Sequence, residues 1–469
     1  MVPEPQGATV AHFERALGAI TARVFDVAAD AAGVPRSMAV AYSGGLDSSV
    51  LLQLAHAHAL ANDIVLYAFH VHHGLSDQAD AWQAHCAAQA AQLGVGFDLR
   101  RIAVDGSNDG IEAAARSGRY AALGAMCRQH RVPLILTAHH QDDQAETVML
   151  QLLRGSGVAG LSGMDASNHA PDLLGDATLL MGRPLLDLSR VALEAFATAR
   201  VIAFVEDPSN SDPRFARNAL RHQIMPVLAA QFPGCAQRFA RTAQHAQSAQ
   251  QLLVELGAQD LVQCLDDDAI NIDRLRLLSA ARCDNLLRYW FGSRGMRMPS
   301  TSWLHEMREQ LFEAKADAQV LVGHVDCDIH RHRNYIVMTP RRALPDPEQD
   351  AAPFVWDGTS QMHFPDFGGS LHFEAATQGV DPDWLCAQAL VLQWRSGGWR
   401  LKLAPNRSTR SLKYHYQAGS VPAWERPHLP LVTLGSRLLY AAGIGMDCHH
   451  FRQGDGHRIA LRWQADVAC

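Results

Sequence analysis

The order of apolar and polar positions in the first 225 residues predicts alternating strands and helices. Short apolar runs with the length of buried strands occupy residues 38–42, 64–71, 97–104 and 133–138. Longer stretches with helical spacing follow them at residues 48–60, 77–93, 111–129 and 142–154. This alternation is typical of βαβ units on a Rossmann-like parallel sheet, an α/β fold. The carboxyl ends of the strands should meet at one edge, where such sheets bind ligands.

The pattern changes after residue 225. Residues 242–261 and 280–291 have amphipathic helical spacing, and residues 326–338 predict a hairpin. An acidic, proline-containing connector at residues 344–350 precedes a strand-like C-terminal part. We therefore predict three domains: an α/β domain over residues 1–225, a mostly helical middle domain over 226–343, and a small mixed α+β domain over 354–469.

Composition narrows the class of protein. A chain of 469 residues with 48% hydrophobic and 19% charged residues is ordinary for a globular protein of several domains. No apolar window approaches the length of a membrane span, and the first residues do not resemble a secretory signal. The nine cysteines are scattered without a Cys-x-x-Cys pair, which argues against disulfide scaffolds and cysteine-built metal sites. We expect a cytoplasmic protein.

The formal net charge is −7, but residues 391–437 contain eight lysines or arginines and one acid. Aromatic residues are interleaved with these cations: Trp394, Trp399, Tyr414, Tyr416 and Trp424. Such a mixture suits folded RNA, which offers both phosphates and exposed bases. The alternative is a solvated basic face whose aromatic residues form the core of a small domain.

Residues 43–48, with the sequence Ser-Gly-Gly-Leu-Asp-Ser, predict a phosphate-binding loop between a strand and a helix. Gly44 and Gly45 allow backbone N–H groups to approach phosphate oxygens, and the helix adds the positive end of its dipole. Ser43 and Ser48 supply hydroxyl groups. Asp47 would repel an anionic ligand unless a cation bridges them, so we predict Mg²⁺ at this carboxylate.

Two other glycine patterns do not explain the nucleotide site. The loop at residues 43–48 lacks the spacing of a Walker A motif. The run Gly-Ser-Gly-Val-Ala-Gly at residues 155–160 matches the dinucleotide fingerprint, but it follows a predicted helix where that fingerprint needs a strand.

Acids and histidines gather where the fourth predicted strand ends. Asp143 and Glu146 are three residues apart, so their carboxylates share one helix face and could hold an ammonium group. The alternative is a pair of helix-start acids favoured by the dipole. His139 is our candidate for assisting the chemistry, either as a base or as a hydrogen-bond donor to phosphate. A zinc site is a second alternative for the histidines His70, His72, His73, His139 and His140.

Arginines recur at helical spacing in two places. Arg116 and Arg119 lie one turn apart, with Glu112 placed to pair with Arg116 on a solvated face. Arg214, Arg217 and Arg221 form a stripe whose guanidinium groups suit phosphates of ATP or of RNA. For Arg214 alone, a solvated position is the alternative.

The loop at residues 43–48 resembles that of the PP-loop superfamily, which cleaves ATP between its α- and β-phosphates. Further motifs are similar to those of tRNA(Ile)-lysidine synthetases: residues 70–75, 112–120, 137–147, 154–161, 206–210, 217–221, 410–413 and 421–426. The resemblance is close in the N-terminal half and returns near the C-terminus. Thr409 stands where the resemblance leads us to expect a glycine before Arg410.

The resemblance implies a two-step ligation. ATP adenylates the C2 oxygen of the wobble cytidine in a CAU-anticodon isoleucine tRNA, and pyrophosphate leaves. The ε-amine of free L-lysine then attacks C2, and AMP leaves. The implied tRNA-binding parts are the middle and C-terminal domains.

The resemblance also assigns roles to individual residues of this chain. The implied catalytic residues are Asp47, Arg116, His139, Asp143, Glu146 and Arg217. The implied ATP-binding residues are Ser43, Gly44, Gly45, Leu46, Asp47, Ser48 and His72, with Asp47 as the metal ligand. Lysine would bind to Asp143 and Glu146. The implied tRNA-binding residues are Arg217, Arg221, Arg410, Lys413 and Arg426.

Rival functions remain at this point. A tRNA thiolase of the same superfamily normally needs paired cysteines, and an amidotransferase-type synthetase needs a glutaminase, neither of which the sequence contains. A nucleotide- or RNA-binding protein without catalysis is a rival of another class. The sequence leaves the oligomeric state open, with a homodimer as one alternative.

Overall fold

The computed structural model describes residues 5–25, 36–74, 76–103, 111–207, 216–314, 320–346, 351–451 and 457–466. Contacts between residues divide the chain into two units, Met1–Val254 and Glu255–Cys469. Within the described residues, no helix is both long and apolar enough to cross a membrane.

The first unit is built on a six-stranded sheet. Its strands are β1 (Ser37–Ala41), β2 (Val65–His72), β3 (Gly96–Arg101), β4 (Leu134–Leu136), β5 (Ser167–His169) and β6 (Leu180–Gly182). Their order is β3-β2-β1-β4-β6-β5, and every neighbouring pair is parallel except β5 with β6. The predicted Rossmann-like parallel sheet is therefore confirmed. The third and fourth strands are shorter than predicted, and Val104 lies outside the described residues.

Helices surround this sheet. They are α1 (Pro5–Phe25), α2 (Leu46–Asn62), α3 (Ala79–Leu93), α4 (Ile111–His130), α5 (Gln141–Leu153), α6 (Val158–Leu161), α7 (Pro171–Leu174), α8 (Arg190–Ala199), α9 (Ala216–Ala219), α10 (Met225–Gln231) and α11 (Cys235–Cys264). A π-helical turn, Leu220–Ile224, joins α9 to α10. The predicted helices after β1, β2, β3 and β4 are confirmed as α2 to α5.

The parallel sheet is covered on both faces, as its nearly continuous apolar strands require. One apolar cluster joins Leu17 of α1 and Leu51 of α2 with Leu193 of α8. A second cluster joins Phe69 of β2 with Leu123 of α4. Helix α1 was not among the predicted elements, although buried residues at positions 13, 17 and 20 have helical spacing.

The second unit begins within α11 and contains both helices and antiparallel sheet. Its first elements are β7 (Leu265–Asp266), β8 (Ala269–Asn271), α12 (Ile272–Arg276), α13 (Ala280–Ser293), α14 (Thr301–Glu313), β9 (Val320–Gly323), β10 (Cys327–His332) and β11 (Tyr335–Pro340). The predicted hairpin at residues 326–338 is β10 and β11, the two strands paired in antiparallel register. It belongs to a five-stranded sheet in the order β7-β8-β11-β10-β9, so this region carries more strand than predicted. Trp290 and Phe291 lie in its core.

The remaining elements of the second unit are mostly short strands, as predicted. They are β12 (Ala351–Phe354), β13 (Gln361–Phe364), β14 (Gly369–Ala376), α15 (Pro382–Cys386), β15 (Leu390–Gln393), β16 (Arg400–Leu401), β17 (Arg410–Ser411), α16 (Leu412–Ala418), β18 (Leu431–Leu434), β19 (Arg437–Ala441), β20 (Gly445–Met446) and β21 (Arg458–Ala465). They form sheets of five, three and two strands: β12-β15-β18-β19-β20, β13-β14-β21 and β16-β17. Of the predicted connector, residues 347–350 lie outside the described residues.

Candidate active site

The loop at residues 43–48 follows the carboxyl end of β1, and its last three residues form the start of α2. Gly44 has a φ angle of 87°, in the left-handed region that favours glycine. A Cβ atom at Gly44 would also lie 2.8 Å from the Sγ atom of Cys86, so the loop requires glycine here for two reasons. Gly45 precedes α2 without a side-chain cap, which leaves the N-terminal N–H groups of this helix available to an anion.

Hydroxyl groups hold the loop in shape. The Oγ atoms of Ser43 and Ser48 lie 3.0 Å apart, and the Ser48 hydroxyl donates to the Gly45 carbonyl oxygen at 3.0 Å. The backbone N–H of Val205 donates to the Gly44 carbonyl oxygen at 2.9 Å. The loop is therefore fixed before any ligand arrives, which reduces the entropy cost of binding.

Asp47 points its carboxylate toward an arginine and a histidine of other elements. Its Oδ2 atom lies 3.1 Å from Nη1 of Arg190 and 3.7 Å from Nε2 of His140. Its Oδ1 atom is buried and has no hydrogen-bond partner among the described residues. Burial raises the pKa of Asp47, and the neighbouring His140 and Arg190 oppose that rise.

The orphaned Oδ1 atom suits a magnesium ion. Mg²⁺ is commonly held by one or two carboxylates while waters and substrate phosphates complete its shell. Within the described residues, no group of three or more His, Cys, Asp or Glu is arranged to hold a metal ion. The zinc alternative for the five histidines therefore finds no support there, whereas a single carboxylate beside a phosphate loop fits magnesium.

His140 connects the loop to the N-terminus of α5. Its Nδ1 atom accepts from the backbone N–H of Asp143 at 3.4 Å, and the Asp143 carboxylate accepts from the backbone N–H of His140 at 3.1 Å. This reciprocal arrangement is a capping box. Because Nδ1 is an acceptor, the proton of a neutral His140 lies on Nε2, which faces the carboxylates of Asp47 and Asp143.

The carboxylate pair, Asp143 and Glu146, does share one face of α5, and two guanidinium groups already contact it. Arg221 contacts Glu146 through Nε at 2.6 Å and contacts Asp143 Oδ1 through Nη2 at 2.8 Å. Arg217 contacts Glu146 Oε2 through Nε at 3.2 Å and the Thr147 hydroxyl through Nη2 at 2.8 Å. Arg217 and Arg221, which were predicted to bind phosphates of RNA or ATP, therefore bind carboxylates of the protein itself. The first member of the predicted stripe, Arg214, lies outside the described residues.

His139 and Arg116 belong to the neighbouring part of the same edge. The His139 Nδ1 atom lies 2.9 Å from the Thr137 hydroxyl. Burial lowers the pKa of His139 to about 3, the Asp143 carboxylate opposes this, and the cations Arg183, Arg116 and Arg217 add to it. A neutral imidazole of such low basicity is a poor proton acceptor, so its surroundings give no support to the base role, one of the two roles predicted for His139. The Arg116 guanidinium lies over the Tyr120 ring, 5.0 Å from its centroid.

The second strand contributes histidines to this edge, because β1 and β2 are parallel neighbours. The Nε2 atom of His72 lies 3.2 Å from Asp80, which also accepts from Arg101 at 2.8 Å. The Nδ1 atom of His70 lies 2.8 Å from the Tyr42 carbonyl oxygen and supports the strand before the loop. The motif residues Leu75, Pro208, Ser209 and Asn210 lie outside the described residues, as does the Glu112 side chain.

The sequence-based prediction missed Arg190 and Asp142. Arg190 is the first residue of α8, and its backbone N–H donates to the Asp142 carboxylate at 2.8 Å. A signal was present in Ser189, which caps the helix and places the next residue at its start. No pattern in the neighbouring sequence relates α8 to the loop at residues 43–48, which lies more than a hundred residues earlier.

Comparison with known proteins identifies the family. Three family models match the chain: a PP-loop domain at residues 16–228, a TilS substrate binding domain at 270–337 and a TilS substrate C-terminal domain at 390–463. The tRNA(Ile)-lysidine synthase of Ralstonia nicotianae is 40% identical over 438 residues, 91% of this chain and 93% of that protein. The chain belongs to the tRNA(Ile)-lysidine synthase family.

Two further members of the family are similar to this chain over most of its length. The synthase of Burkholderia pseudomallei is 39% identical and covers 92% of this chain and 94% of its own length. That of Pseudomonas aeruginosa is 41% identical and covers 87% of this chain and 90% of its own length. The predicted resemblance is confirmed, and the PP-loop assignment of residues 43–48 lies inside the matched domain. The chain is accordingly an enzyme of the tRNA(Ile)-lysidine synthase family.

The region that matches the family's C-terminal domain separates the basic and aromatic residues into core and surface. Trp394 and Tyr416 are buried, and Trp424 stacks on His330 with ring centroids 4.2 Å apart. Trp394 and Tyr416 therefore follow the core alternative, whereas Trp424 is only partly buried. Tyr414 remains 51% exposed, and the Arg410 guanidinium lies 5.4 Å from its ring centroid.

Three of the five basic residues predicted for tRNA contact lie in this region, and their surroundings differ. Arg410 and Lys413 are exposed beside Tyr414. Arg426 donates from Nε and Nη2 to the Val421 carbonyl oxygen, at 3.0 and 2.7 Å. Arg410 and Lys413 thus have the accessibility that a phosphate contact needs, whereas Arg426 holds its own segment together.

Proposed function

We propose that this protein joins free L-lysine to C2 of the wobble cytidine in a CAU-anticodon isoleucine tRNA, through an adenylated tRNA intermediate. AMP and pyrophosphate are the other products. One observation carries the proposal: His140 lies between Asp47 of the phosphate loop and the carboxylate pair. This arrangement would bring ATP chemistry and recognition of an amine to one edge of one sheet.

ATP binding is supported by the loop. The residues proposed to surround the phosphates are Ser43, Gly44, Gly45, Leu46, Asp47 and Ser48, with His72 on the neighbouring strand. Asp47 would hold Mg²⁺ through its buried Oδ1 atom, which has no hydrogen-bond partner in the part of the chain that the structure describes. Bound there, the ion would neutralise charge on the departing pyrophosphate.

The carboxylate pair is the proposed site for the lysine amine. Glu146 is only 3% exposed, so its charge needs a cationic partner, a role that Arg217 and Arg221 fill at present. An ammonium group is a cation of the kind that this pair already binds. For attack the amine must lose its proton, because its ordinary pKa is near 10.4. We assign Arg116 and Arg217 to the reaction as cations near His139, which would act as a neutral hydrogen-bonding group.

The tRNA would contact the exposed cations of the C-terminal domain. We propose that residues 226–343 and 354–469 form two tRNA-binding domains after the catalytic domain at residues 1–225. Arg410 and Lys413 are the proposed phosphate contacts, and Arg217 and Arg221 would reach the tRNA only after leaving the carboxylate pair. A cytoplasmic location suits a substrate of this kind, and light scattering would decide between monomer and homodimer.

Incorporation of labelled lysine tests the proposal. Purified protein with ATP, magnesium and radiolabelled lysine should label a CAU-anticodon isoleucine tRNA, and a tRNA with another anticodon is the control. A folded preparation that forms AMP without transferring lysine would instead indicate another PP-loop reaction. A preparation that binds ATP and tRNA without forming AMP would indicate a binding protein.

A substitution of Asp47 tests the role of the loop. Asp47→Ala should abolish pyrophosphate release and leave tRNA affinity largely unchanged, because Asp47 belongs to the phosphate loop. Asp172→Asn, an exposed acid on the short helix α7, is the matched control and should change neither. Loss of tRNA affinity with normal ATP turnover would refute the assignment.

A further inference from the structure

Three arginines approach the acids of this edge, and their surroundings differ. Arg217 and Arg221 are fixed on the carboxylate pair by contacts from 2.6 to 3.2 Å. Arg190 contacts Asp47 at 3.1 Å and Glu194 at 3.0 Å, and its side chain is 39% exposed. Glu194 is itself half exposed, so that contact is weak. Arg190 is therefore the arginine whose guanidinium group is most easily released.

The chain holds the backbone of Arg190 firmly beside the loop. Ser189 caps α8 by accepting from the backbone N–H of Ala192. The Asp142 carboxylate accepts from the Arg190 N–H at 2.8 Å, and the Gln141 N–H donates to the Leu188 carbonyl oxygen at 2.9 Å. These bonds tie the start of α8 to the start of α5. The backbone of Arg190 is thus held in place, and only its side chain is free to change position.

Charge balance indicates what Arg190 does when nucleotide binds. Asp47 now shares its Oδ2 atom with this guanidinium. A divalent cation at the same carboxylate would repel the guanidinium, since like charges a few ångströms apart are unfavourable. The phosphates that accompany the cation offer a new partner within reach, and the planar fork of arginine suits phosphate oxygens.

We propose that Arg190 is a phosphate-binding residue of this site. Before nucleotide binds it neutralises Asp47, and with nucleotide bound it turns to contact the phosphates of ATP. This inference rests on the ATP chemistry proposed above and adds a residue of α8 to the site.

Binding measurements test the role without requiring turnover. Isothermal titration would use α,β-methylene-ATP with magnesium, and in a second series pyrophosphate, against full-length protein. Arg190→Gln should weaken the binding of both about 10- to 100-fold, the range for a lost charge-assisted contact. Arg190→Lys should lose less affinity, because lysine keeps the positive charge but lacks the planar guanidinium group that can make two hydrogen bonds. Glu194→Gln, which removes the other partner of Arg190, should bind as the unsubstituted protein does.

The outcomes are distinct. Unchanged or tighter binding by Arg190→Gln would overturn the proposal and leave Arg190 as a counter-ion of Asp47. A loss of tRNA affinity with unchanged analogue binding would overturn it too, because the phosphates recognised would then belong to RNA. If Arg190→Gln does not fold, analogue binding by Arg190→Lys equal to that of the unsubstituted protein would overturn it. Failure of the unsubstituted protein to bind the analogue would refute both ATP use and the role of Arg190.

Discussion

Replacement of Glu146 by glutamine should destabilise the first unit, because this carboxylate is the shared partner of two arginines. Its side chain is 3% exposed, while those of Arg217 and Arg221 are 28% and 29% exposed. Glutamine keeps the shape and removes the charge. Its amide group would also direct N–H donors at guanidinium donors, so at least one of the short contacts would be lost.

The size of the effect follows from burial. Breaking a buried ion pair by removing one partner costs about 3–5 kcal/mol, and one hydrogen bond to a charged group contributes about 1.5–3 kcal/mol. Here the arginines keep some access to water, and Arg221 retains Asp143 at 2.8 Å. We therefore expect a smaller loss than for a fully buried pair, about 2–3 kcal/mol, for Glu146→Gln. For a unit of this size the melting temperature should fall by about 4–10 °C.

Calorimetry with a double-mutant cycle measures this loss. The variants are Glu146→Gln, Arg221→Gln and their combination, and the coupling energy between the two residues should be about 1.5–3 kcal/mol. Glu194→Gln is the control, because it removes an exposed i, i+4 partner of Arg190 and should cost less than about 1 kcal/mol. A Glu146→Gln melting temperature as little changed as that of the control would refute the reasoning.

Two other predictions concern pH and salt. Burial lowers the pKa of His139 to about 3 from 6.5, so the unfolded chain takes up this proton first as the pH falls. The contribution of neutral His139 to the free energy of unfolding is complete above about pH 6.5. About 1.5 kcal/mol of that free energy is lost as the pH falls to about 5. His139→Gln should show a smaller fall in urea midpoint over this range, and an equal fall in both proteins would contradict the burial argument. The double variant Arg410→Gln/Lys413→Gln should weaken tRNA binding and reduce the slope of log affinity against log salt by about 2. Arg462→Gln, whose charge is paired with Glu374, is the control, and an unchanged slope in the double variant would exclude both residues as phosphate contacts.

Local patterns predicted the parts of the fold that depend on neighbouring residues. The strand, the glycine loop and the helix from β1 to α2 are contiguous, so spacing alone was sufficient for them. The carboxylate pair was recognisable for the same reason, since Asp143 and Glu146 are three residues apart. The parallel order of the strands then brought both features to one edge.

Tertiary contacts account for what the sequence could not indicate. Arg190 reaches Asp47 across 143 positions, and no periodicity relates the two. Arginines at helical spacing look alike whether they face solvent, phosphates or carboxylates, so the pairing of Arg217 and Arg221 with Glu146 required coordinates. Trp394 and Tyr414 have similar polar neighbours along the chain, yet one is buried and the other is half exposed, because the fold of the small sheets decides which face is covered.

The contact between Gly44 and Cys86 has a practical consequence. The Cys86 thiol is fully buried against the phosphate loop, and burial raises its pKa to about 12. A thiol reagent can therefore modify it only when the surrounding structure opens, since reaction needs both access and the thiolate. The labelling rate of Cys86 would report how often the loop separates from α3, and its slowing by nucleotide would measure loop closure without an added probe.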